Sequence, residues 1–383
     1  MKNYIFGTGS FAIDVAKILE RFNIKIDGFL KIGDTDKNNN LKLYNEIPLL
    51  YVNEKSNFDF LNSNIIITKK PIIMGDTIDF LRKNKVSNLY IVDEKILFDD
   101  IINIEQLNRY IDKIDLRKPF LNYLEMNVVD HCNLNCKGCA HFSNICDNNI
   151  VKLEEFKRDM ELIANNFNVY NFRVLGGEPF LHPDLKELLC ILKEKLKGTR
   201  ITIVTNGLLL DRFDKELLDY ISKNDILLTL SLYEPTYEKI DIIKSILNEY
   251  NIKYLFNDDF YRPLEKIDKF QTRLTLEKEN DGLISSKKCT GRFCRFVRNG
   301  KITKCYYPLL VDILNKKYGT NFIVDENDYI ELDKITNGWD VIDKLNKNIP
   351  FCDYCSINDF EFDWKGYHKN DKDISGYVLK KVK

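Results

Sequence analysis

The chain has 383 residues, of which 44% are hydrophobic and 30% are charged, so it can form packed cores and wholesale disorder is excluded. Its formal net charge of −1 provides no basic field that would attract nucleic acid or an anionic membrane surface. No run of about 18 apolar residues occurs and the first residues contain no apolar signal core, so we expect a cytoplasmic protein without a membrane-spanning segment.

Residues 1–112 alternate strand-like and helix-like segments. "NYIF" predicts a buried strand, "GTGS" a tight turn, and "FAIDVAKILERF" an amphipathic helix with apolar residues three and four positions apart. Repeated alternation of this kind predicts a parallel sheet covered by helices. The turn has the form GxGxxA, in which Gly7 and Gly9 allow a phosphate to approach, although Lys31 stands where an acidic residue would hold a ribose.

This first segment resembles the small Rossmann-like domain that precedes sugar acetyltransferases and nucleotide-sugar enzymes. The resemblance implies a domain that binds a nucleotide or a nucleotide sugar. The alternative is a docking domain that has lost its ligand.

A second series of strands and helices extends over residues 119–262. The strand "LEMNVV" precedes a cysteine-rich loop, "NFRVL" runs into "GGEP", and "RITIVTNG" and "ILLTLSLY" follow with helical segments between them. This alternation predicts a partial TIM (β/α)6 barrel, and the chain as a whole is of the α/β class. Because chemistry in such folds lies at the carboxyl ends of the strands, we expect the cysteines, "GGEP" and "TNG" at one end of the barrel.

Three cysteines in the loop after the first barrel strand, Cys132, Cys136 and Cys139, have the spacing CxxxCxxC. Thiolates hold iron–sulfur clusters, and three of them on a 4Fe-4S cluster leave one iron open to a bidentate small molecule. A structural zinc site requires four protein ligands, and His131 or His141 could supply the fourth. The spacing alone leaves both kinds of metal site open.

Together with "GGEP" one strand–helix unit later, the CxxxCxxC motif resembles the radical S-adenosylmethionine (SAM) superfamily. The resemblance implies that the three cysteines bind a 4Fe-4S cluster whose open iron chelates SAM. One electron, supplied by a flavodoxin- or ferredoxin-type reductant, would then cleave SAM to methionine and a 5′-deoxyadenosyl radical. SAM contacts are implied for Gly176, Gly177, Glu178, Pro179, Asn206 and Ser231, with Glu178 receiving the ammonium group.

The residue before the third cysteine is usually aromatic in this superfamily and packs near the adenine of SAM. Here that residue is Gly138. We therefore expect another aromatic side chain to make the contact, with Phe142 as the candidate and simple core packing as its alternative.

A second group of cysteines lies in residues 263–383. Cys289, Gly300, Cys305, Cys352 and Cys355 resemble the pattern of the twitch domain, a small α+β domain related to SPASM, which adds an auxiliary 4Fe-4S cluster to a radical SAM barrel. By spacing alone, a zinc ribbon is the alternative. Cys294 is an extra thiol that could replace Cys289 as a ligand, donate a hydrogen atom as a catalytic group, or simply be buried.

The favoured function is radical oxidation of a secondary alcohol in a small-molecule substrate, a sugar or nucleotide sugar, with the auxiliary cluster accepting the second electron. One alternative is a radical epimerase in which a thiol such as Cys294 returns the hydrogen atom. The others are a peptide-modifying maturase and a non-catalytic, zinc-stabilised binding protein.

Overall fold

The computed structural model describes residues 1–34, 42–68, 74–114, 119–212, 215–257, 264–292, 294–366 and 373–379. The chain forms two compact units, Met1–Lys118 and Pro119–Lys383. The first unit extends beyond the predicted limit of 112 because a strand at Ile111–Ile114 still pairs within its sheet. The predicted boundary at 262/263 lies outside the described residues. Within the described part of the chain, no helix has both the length and the apolar character needed to cross a membrane.

The first unit is a sheet of seven strands in its described part, in the order β3-β4-β2-β1-β5-β6-β7. The strands are β1 (Lys2–Phe6), β2 (Gly28–Ile32), β3 (Lys42–Tyr44), β4 (Ile47–Val52), β5 (Ser63–Ile67), β6 (Asn88–Val92) and β7 (Ile111–Ile114), and the helices are α1 (Ser10–Arg21), α2 (Gly75–Lys83) and α3 (Ile104–Asn108). The strands from β4 to β6 in this order pair in parallel, whereas β3 and β7 pair antiparallel at the edges.

Helix α1 shows why this unit folds as its sequence predicts. Its apolar positions Phe11, Val15 and Leu19 are spaced by four residues, share one face and are buried against the sheet. The predicted parallel sheet with helical cover is therefore present, and the Rossmann-like assignment stays a prediction.

The second unit contains an eight-stranded sheet in its described part, in the order β14-β13-β12-β11-β9-β16-β17-β18. Its strands, with two short ones that pair separately, are β8 (Phe120–Leu121), β9 (Leu124–Val129), β10 (Asn168–Val169), β11 (Asn171–Gly176), β12 (Arg200–Thr205), β13 (Leu227–Leu230), β14 (Tyr254–Phe256), β16 (Phe296–Arg298), β17 (Lys301–Thr303) and β18 (Ile330–Glu331). The helices that alternate with the first of these strands are α4 (Leu153–Asn166), α5 (Leu185–Lys195), α6 (Lys215–Lys223), α7 (Glu234–Glu238) and α8 (Ile240–Glu249).

Strands β9, β11, β12, β13 and β14 are parallel, as the strand–helix alternation predicts. Strand β9 is buried on both faces: Leu124 and Met126 pack into the main core, and Glu125 and Asn127 alternate with them on the other face of the sheet. The sheet therefore has an apolar face toward its helices and a buried polar face opposite.

The sixth parallel strand comes from the late cysteine region. β16 pairs in parallel with β9, and β17 folds back on β16 as an antiparallel hairpin. Asn299 and Gly300 form its turn with φ of +52° and +71°, the left-handed values that an Asn-Gly pair favours. The hairpin is as predicted, and its addition to the barrel sheet beside β9 is a feature that local sequence does not indicate.

The remaining elements of the second unit are β15 (Lys269–Leu274), β19 (Cys355–Asp363), α9 (Gly282–Lys288), α10 (Tyr307–Leu310), α11 (Asp312–Tyr318) and α12 (Gly338–Leu345). β15 and β19 form a separate antiparallel pair. Aromatic residues such as Phe142, Phe296, Phe351 and Tyr354 form a core of their own in this region. The sequence on both sides of residue 263 is thus joined by a shared sheet and a shared core.

Candidate active site: two cysteine-lined cavities

The first cysteine loop begins where β9 ends. Asp130 is 4% exposed and accepts two hydrogen bonds from the guanidinium of Arg298, at 2.5 and 2.7 Å. Further along, Cys136 forms an isolated antiparallel bridge with Gly366, and the ammonium of Lys137 lies 2.7 Å from the carboxylate of Asp373. The loop that carries Cys132, Cys136 and Cys139 is therefore held from both sides by the late part of the chain.

The glycines of "GGEP" lie directly against this loop. The N–H of Gly177 donates to the carbonyl of Val129 at 2.8 Å, and the N–H of Glu178 donates to the carbonyl of His131 at 3.1 Å. A Cβ at Gly177 would collide with the backbone of His131, and a Cβ at Gly176 would collide with the carbonyl oxygen of Val129. Both positions therefore require glycine because the backbones of two neighbouring strand ends touch.

Glu178 ties the ends of β11 and β12 together. Its carboxylate is 1% exposed and accepts hydrogen bonds from the Thr205 hydroxyl at 2.6 Å, the Asn206 N–H at 2.9 Å and the Phe180 N–H at 3.2 Å. Burial raises the pKa of Glu178 to about 7, and the three hydrogen bonds oppose that rise. Pro179 follows as the first residue of a single 3-10 turn, Pro179–Leu181, so both residues shape the loop.

A cavity of about 420 Å³ opens at the ends of these strands. Its lining includes seven of the residues predicted from sequence: Cys132, Cys136, Cys139, Gly176, Gly177, Asn206 and Ser231. It also includes Tyr233, Lys269, Phe270 and Gln271, which sequence reasoning missed. No local motif marks the last three, because they belong to β15 and reach the barrel only through the tertiary fold.

Phe142 has a different environment from the one considered in the sequence. It is 1% exposed, has a φ of +58°, and lies in the aromatic core with ring centroids 6.1 Å from Tyr307 and 5.8 Å from Tyr377. A Cβ at Gly138 would collide with the ring of Phe362. Phe142 is thus a core residue here, and the space beside Gly138 is occupied by an aromatic ring from β19.

The second cavity, of about 180 Å³, is lined by Cys289, Cys305, Cys352 and Cys355. The four come from separate places: the end of α9, the segment after β17, the 3-10 turn Pro350–Tyr354 and the start of β19. Cys294 is 8% exposed. Its sulfur and the sulfur of Cys289 both lie near Gly291, because a Cβ built at Gly291 would be 3.7 Å from the Cys294 sulfur and about as far from the Cys289 sulfur. Burial raises the pKa of the Cys294 thiol.

The two cavities share a wall. Gln271 of β15 lines both of them. His141 lines the first and Tyr306 the second, and their rings stack with centroids 4.9 Å apart and an interplanar angle of 25°. The ring of His141 is oriented by a 2.8 Å hydrogen bond between its Nδ1 and the Asn127 amide oxygen.

Residues 126–267 match the family model of the radical SAM superfamily. This part of the chain is a radical SAM domain. It contains the cysteine loop and the "GGEP" strand end, so the resemblance predicted from those motifs is confirmed, and a 4Fe-4S cluster and SAM are its cofactors.

Two enzymes of the same name are among the proteins to which this chain is similar. GTP 3′,8-cyclase of Campylobacter jejuni subsp. doylei is 27% identical over 267 residues, which cover 64% of this chain and 78% of the relative. GTP 3′,8-cyclase of Heliobacterium modesticaldum is 31% identical over 107 residues, which cover 27% of this chain and 32% of the relative.

Solved structures of radical SAM enzymes are also similar to this chain, with lower sequence identity. BtrN in complex with AdoMet and 2-DOIA is 15% identical, with 68% of this chain and 98% of BtrN covered and a TM-score of 0.36. Native anSMEcpe with bound AdoMet is 20% identical, with 36% and 44% covered and a TM-score of 0.31.

The thiols of the radical SAM domain suit a cationic cluster. Burial and the neighbouring thiol Cys139 raise the pKa of Cys136 to about 12, and burial, the Glu178 carboxylate and the thiols Cys139 and Cys136 raise the pKa of Cys132. Buried thiolates this close together require positive charge among them, which iron supplies. Among the described residues, no three Cys, His, Asp or Glu side chains converge to hold a single metal ion. Thiolates are the ligands of iron–sulfur clusters, so the donor set fits a 4Fe-4S cluster.

The first unit contains the glycine turn that was predicted to bind a phosphate. Gly7 follows β1, and a Cβ there would collide with the hydroxyl of Thr68 at the end of β5. Gly9 is the N-cap of α1, and a Cβ there would meet nothing within 4 Å. The turn therefore sits at the carboxyl ends of two adjacent parallel strands, and its ligand stays a prediction.

Proposed function

We propose that this radical SAM protein oxidises a secondary alcohol of a sugar or nucleotide sugar to a ketone. The observation that carries the proposal is the second cavity, which is lined by four cysteines distant in sequence and shares a wall with the first cavity. Four thiolates are the ligand set of a 4Fe-4S cluster, and a second cluster gives the enzyme an acceptor for the electron that alcohol oxidation releases.

Cys132, Cys136 and Cys139 would hold the cluster that binds SAM, and Gly176, Gly177, Asn206 and Ser231 would surround SAM itself. When bound there, the cluster and SAM supply the 5′-deoxyadenosyl radical that removes a hydrogen atom from the alcohol carbon. The remaining carbon radical loses its hydroxyl proton and one electron, and the carbon–oxygen single bond becomes a carbonyl. The proton would go to a base or to water, and an auxiliary 4Fe-4S cluster would accept the electron.

Cys289, Cys305, Cys352 and Cys355 would hold that auxiliary cluster. The stacked rings of His141 and Tyr306 support the electron transfer, because they join the walls of the two cavities through one van der Waals contact. A substrate in the first cavity would therefore be separated from the acceptor by side chains rather than by bulk solvent.

The first unit supports a substrate that carries a nucleotide. Its glycine turn lies at the carboxyl ends of β1 and β5, the edge of an open parallel sheet at which nucleotides and phosphates bind. We propose a nucleotide sugar as the ligand, and a flavodoxin- or ferredoxin-type protein as the electron donor for SAM cleavage.

An anaerobic assay tests this function directly. The reconstituted protein, SAM and dithionite are incubated with a panel of nucleotide sugars, and 5′-deoxyadenosine and product masses are measured. The proposal requires one ketone, lighter than the substrate by two hydrogen atoms, for each SAM cleaved. An unchanged mass with uptake of solvent deuterium would instead identify an epimerase, and no 5′-deoxyadenosine with any sugar would contradict the proposal.

A second candidate is radical cyclisation of GTP, which is favoured by the name of the relatives that cover 64% of this chain. GTP is therefore included among the substrates of the anaerobic assay described above. Consumption of GTP together with 5′-deoxyadenosine formation, and no ketone from any sugar, would establish this second candidate.

A further inference from the structure

The second cavity is lined by basic side chains as well as by cysteines. Arg273, Arg292 and Lys304 all border it, and one carboxylate, Asp359, borders it with them. The first cavity has Lys269 as the only Lys or Arg among its described lining residues, and the buried carboxylate of Glu178 acts electrostatically on its Cys132. The two cysteine sets therefore lie in surroundings of different charge.

Lys304 is the most deeply buried of these cations, at 5% exposed. Its ammonium donates to the Ser286 hydroxyl and to the Lys347 carbonyl, both at 2.7 Å. An ammonium has three N–H donors, so one remains for a sulfur atom in the cavity. Burial lowers the pKa of Lys304, and the neighbouring thiols Cys352, Cys305 and Cys289 oppose that effect.

Arg273 supplies a second charge from β15. One guanidinium nitrogen, Nη2, lies 2.5 Å from the Asp359 carboxylate. The other, Nη1, is buried and has no hydrogen-bond partner in the described structure. Cys289 and Cys355 are electrostatic neighbours of this guanidinium, so its unpaired donor belongs to the wall of the cysteine cavity.

Reduction adds one negative charge to an iron–sulfur cluster, and buried cations and hydrogen bonds to its sulfurs stabilise that added charge. We propose that Lys304 and Arg273 raise the reduction potential of the auxiliary cluster above that of the SAM-binding cluster, so that the electron lost by the substrate remains there. This inference rests on the proposed function for the presence of the auxiliary cluster. It assigns Lys304 and Arg273 as tuning residues that do not contact the substrate.

The test is a redox titration of the auxiliary cluster by EPR. It uses the full chain with Cys132, Cys136 and Cys139 changed to Ala, so that only the auxiliary cluster contributes. In this background Lys304→Met should lower the midpoint potential, with the ratio of oxidised to reduced cluster at fixed potential rising at least tenfold, or about 59 mV for a one-electron couple. Arg273→Gln should shift it in the same direction. Lys316→Met is the control, because Lys316 has a side chain that is 75% exposed.

Iron content is measured for every variant, so that assembly and tuning are separated. A cluster that assembles in both variants with the potential of the control would overturn the inference while leaving the proposed function intact. Loss of the cluster in both variants would also overturn it, since the two side chains would then be structural. Absence of auxiliary iron before either change would instead contradict the proposed function. If only one of the two variants loses the cluster, the midpoint potential of the other variant is compared with that of the control, and an unchanged potential would overturn the inference.

Discussion

The imidazole of His141 stacks on the phenol ring of Tyr306, and these two residues come from the walls of different cavities. His141 lies two residues after Cys139, and Tyr306 lies directly after Cys305. A path of a few covalent bonds and this one ring contact therefore connects the first set of cysteines to the second.

Replacement of Tyr306 by Leu should uncouple the two halves of the reaction. The variant loses ring contacts with His141, Phe296 and Tyr307, worth about 0.5–1.5 kcal/mol per aromatic pair. We expect both iron contents to persist and the yield of ketone per 5′-deoxyadenosine to fall below one. Tyr329→Leu is the matched control, because that ring packs on the ammonium of Lys301. If both variants gave the same yield of ketone per 5′-deoxyadenosine, the stacked rings of His141 and Tyr306 would not be part of the electron-transfer path.

The Asp130–Arg298 pair should be a large contributor to stability. The side chains are 5% and 13% exposed, and removal of one partner leaves the other charge buried. We expect Arg298→Met to lower the free energy of unfolding by about 3–5 kcal/mol. The measurement is the urea-induced unfolding transition of the second unit. The double variant with Asp130→Asn should lose less than the sum of the single changes.

An exposed pair serves as the comparison for this measurement. Lys316 and Asp147 have side chains that are 75% and 65% exposed, so Lys316→Met should cost at most about 1 kcal/mol. If Arg298→Met costs no more than Lys316→Met, then the hairpin does not anchor the cysteine loop.

Gly177→Ala should prevent assembly of the SAM-binding cluster. The added methyl group would collide with the backbone of His131, so the cysteine loop would have to move away from the end of β11. We expect about four of the irons per chain to be lost, with the first unit unaffected. Gly9→Ala is the control substitution, since its methyl group would meet nothing within 4 Å. Full iron content in Gly177→Ala would mean that the loop tolerates the displacement.

The ligand role of Cys289 and the extra thiol Cys294 can be separated by two substitutions five residues apart. Cys289 lines the second cavity, whereas Cys294 is a buried thiol beside Glu125 and Arg173. We expect Cys289→Ala to lose the auxiliary cluster, about four irons, and Cys294→Ala to retain both iron and turnover. The reverse pattern would make Cys294 the ligand, and a Cys294→Ala variant with full iron but no turnover would support a hydrogen-donor role.

Local sequence predicted the parts of the site that lie on single loops. CxxxCxxC, "GGEP" and "TNG" each follow a strand, and parallel strands bring their carboxyl ends together, so their convergence could be expected. The Asn-Gly pair likewise predicted the β16–β17 hairpin, because both residues accept left-handed φ values.

The contacts that join the two cavities could not be predicted in this way. Lys269, Gln271 and Lys304 reach the site through the β15–β19 pair and the addition of β16 to β9, which depend on long-range packing. Phe142 illustrates the same limit at short range. Its position near the cysteines suggested a ligand contact, but its φ of +58° accompanies a side chain packed into the aromatic core.

Iron and sulfide per chain after anaerobic reconstitution test the central claim most directly. The unmodified protein should hold about eight irons, and about four should remain when Cys132, Cys136 and Cys139 are changed to Ala, or when Cys289, Cys305, Cys352 and Cys355 are. About four irons in the unmodified protein, none after loss of the first set, and zinc bound by the second set would contradict the account. The substrate electron would then have no acceptor in the chain.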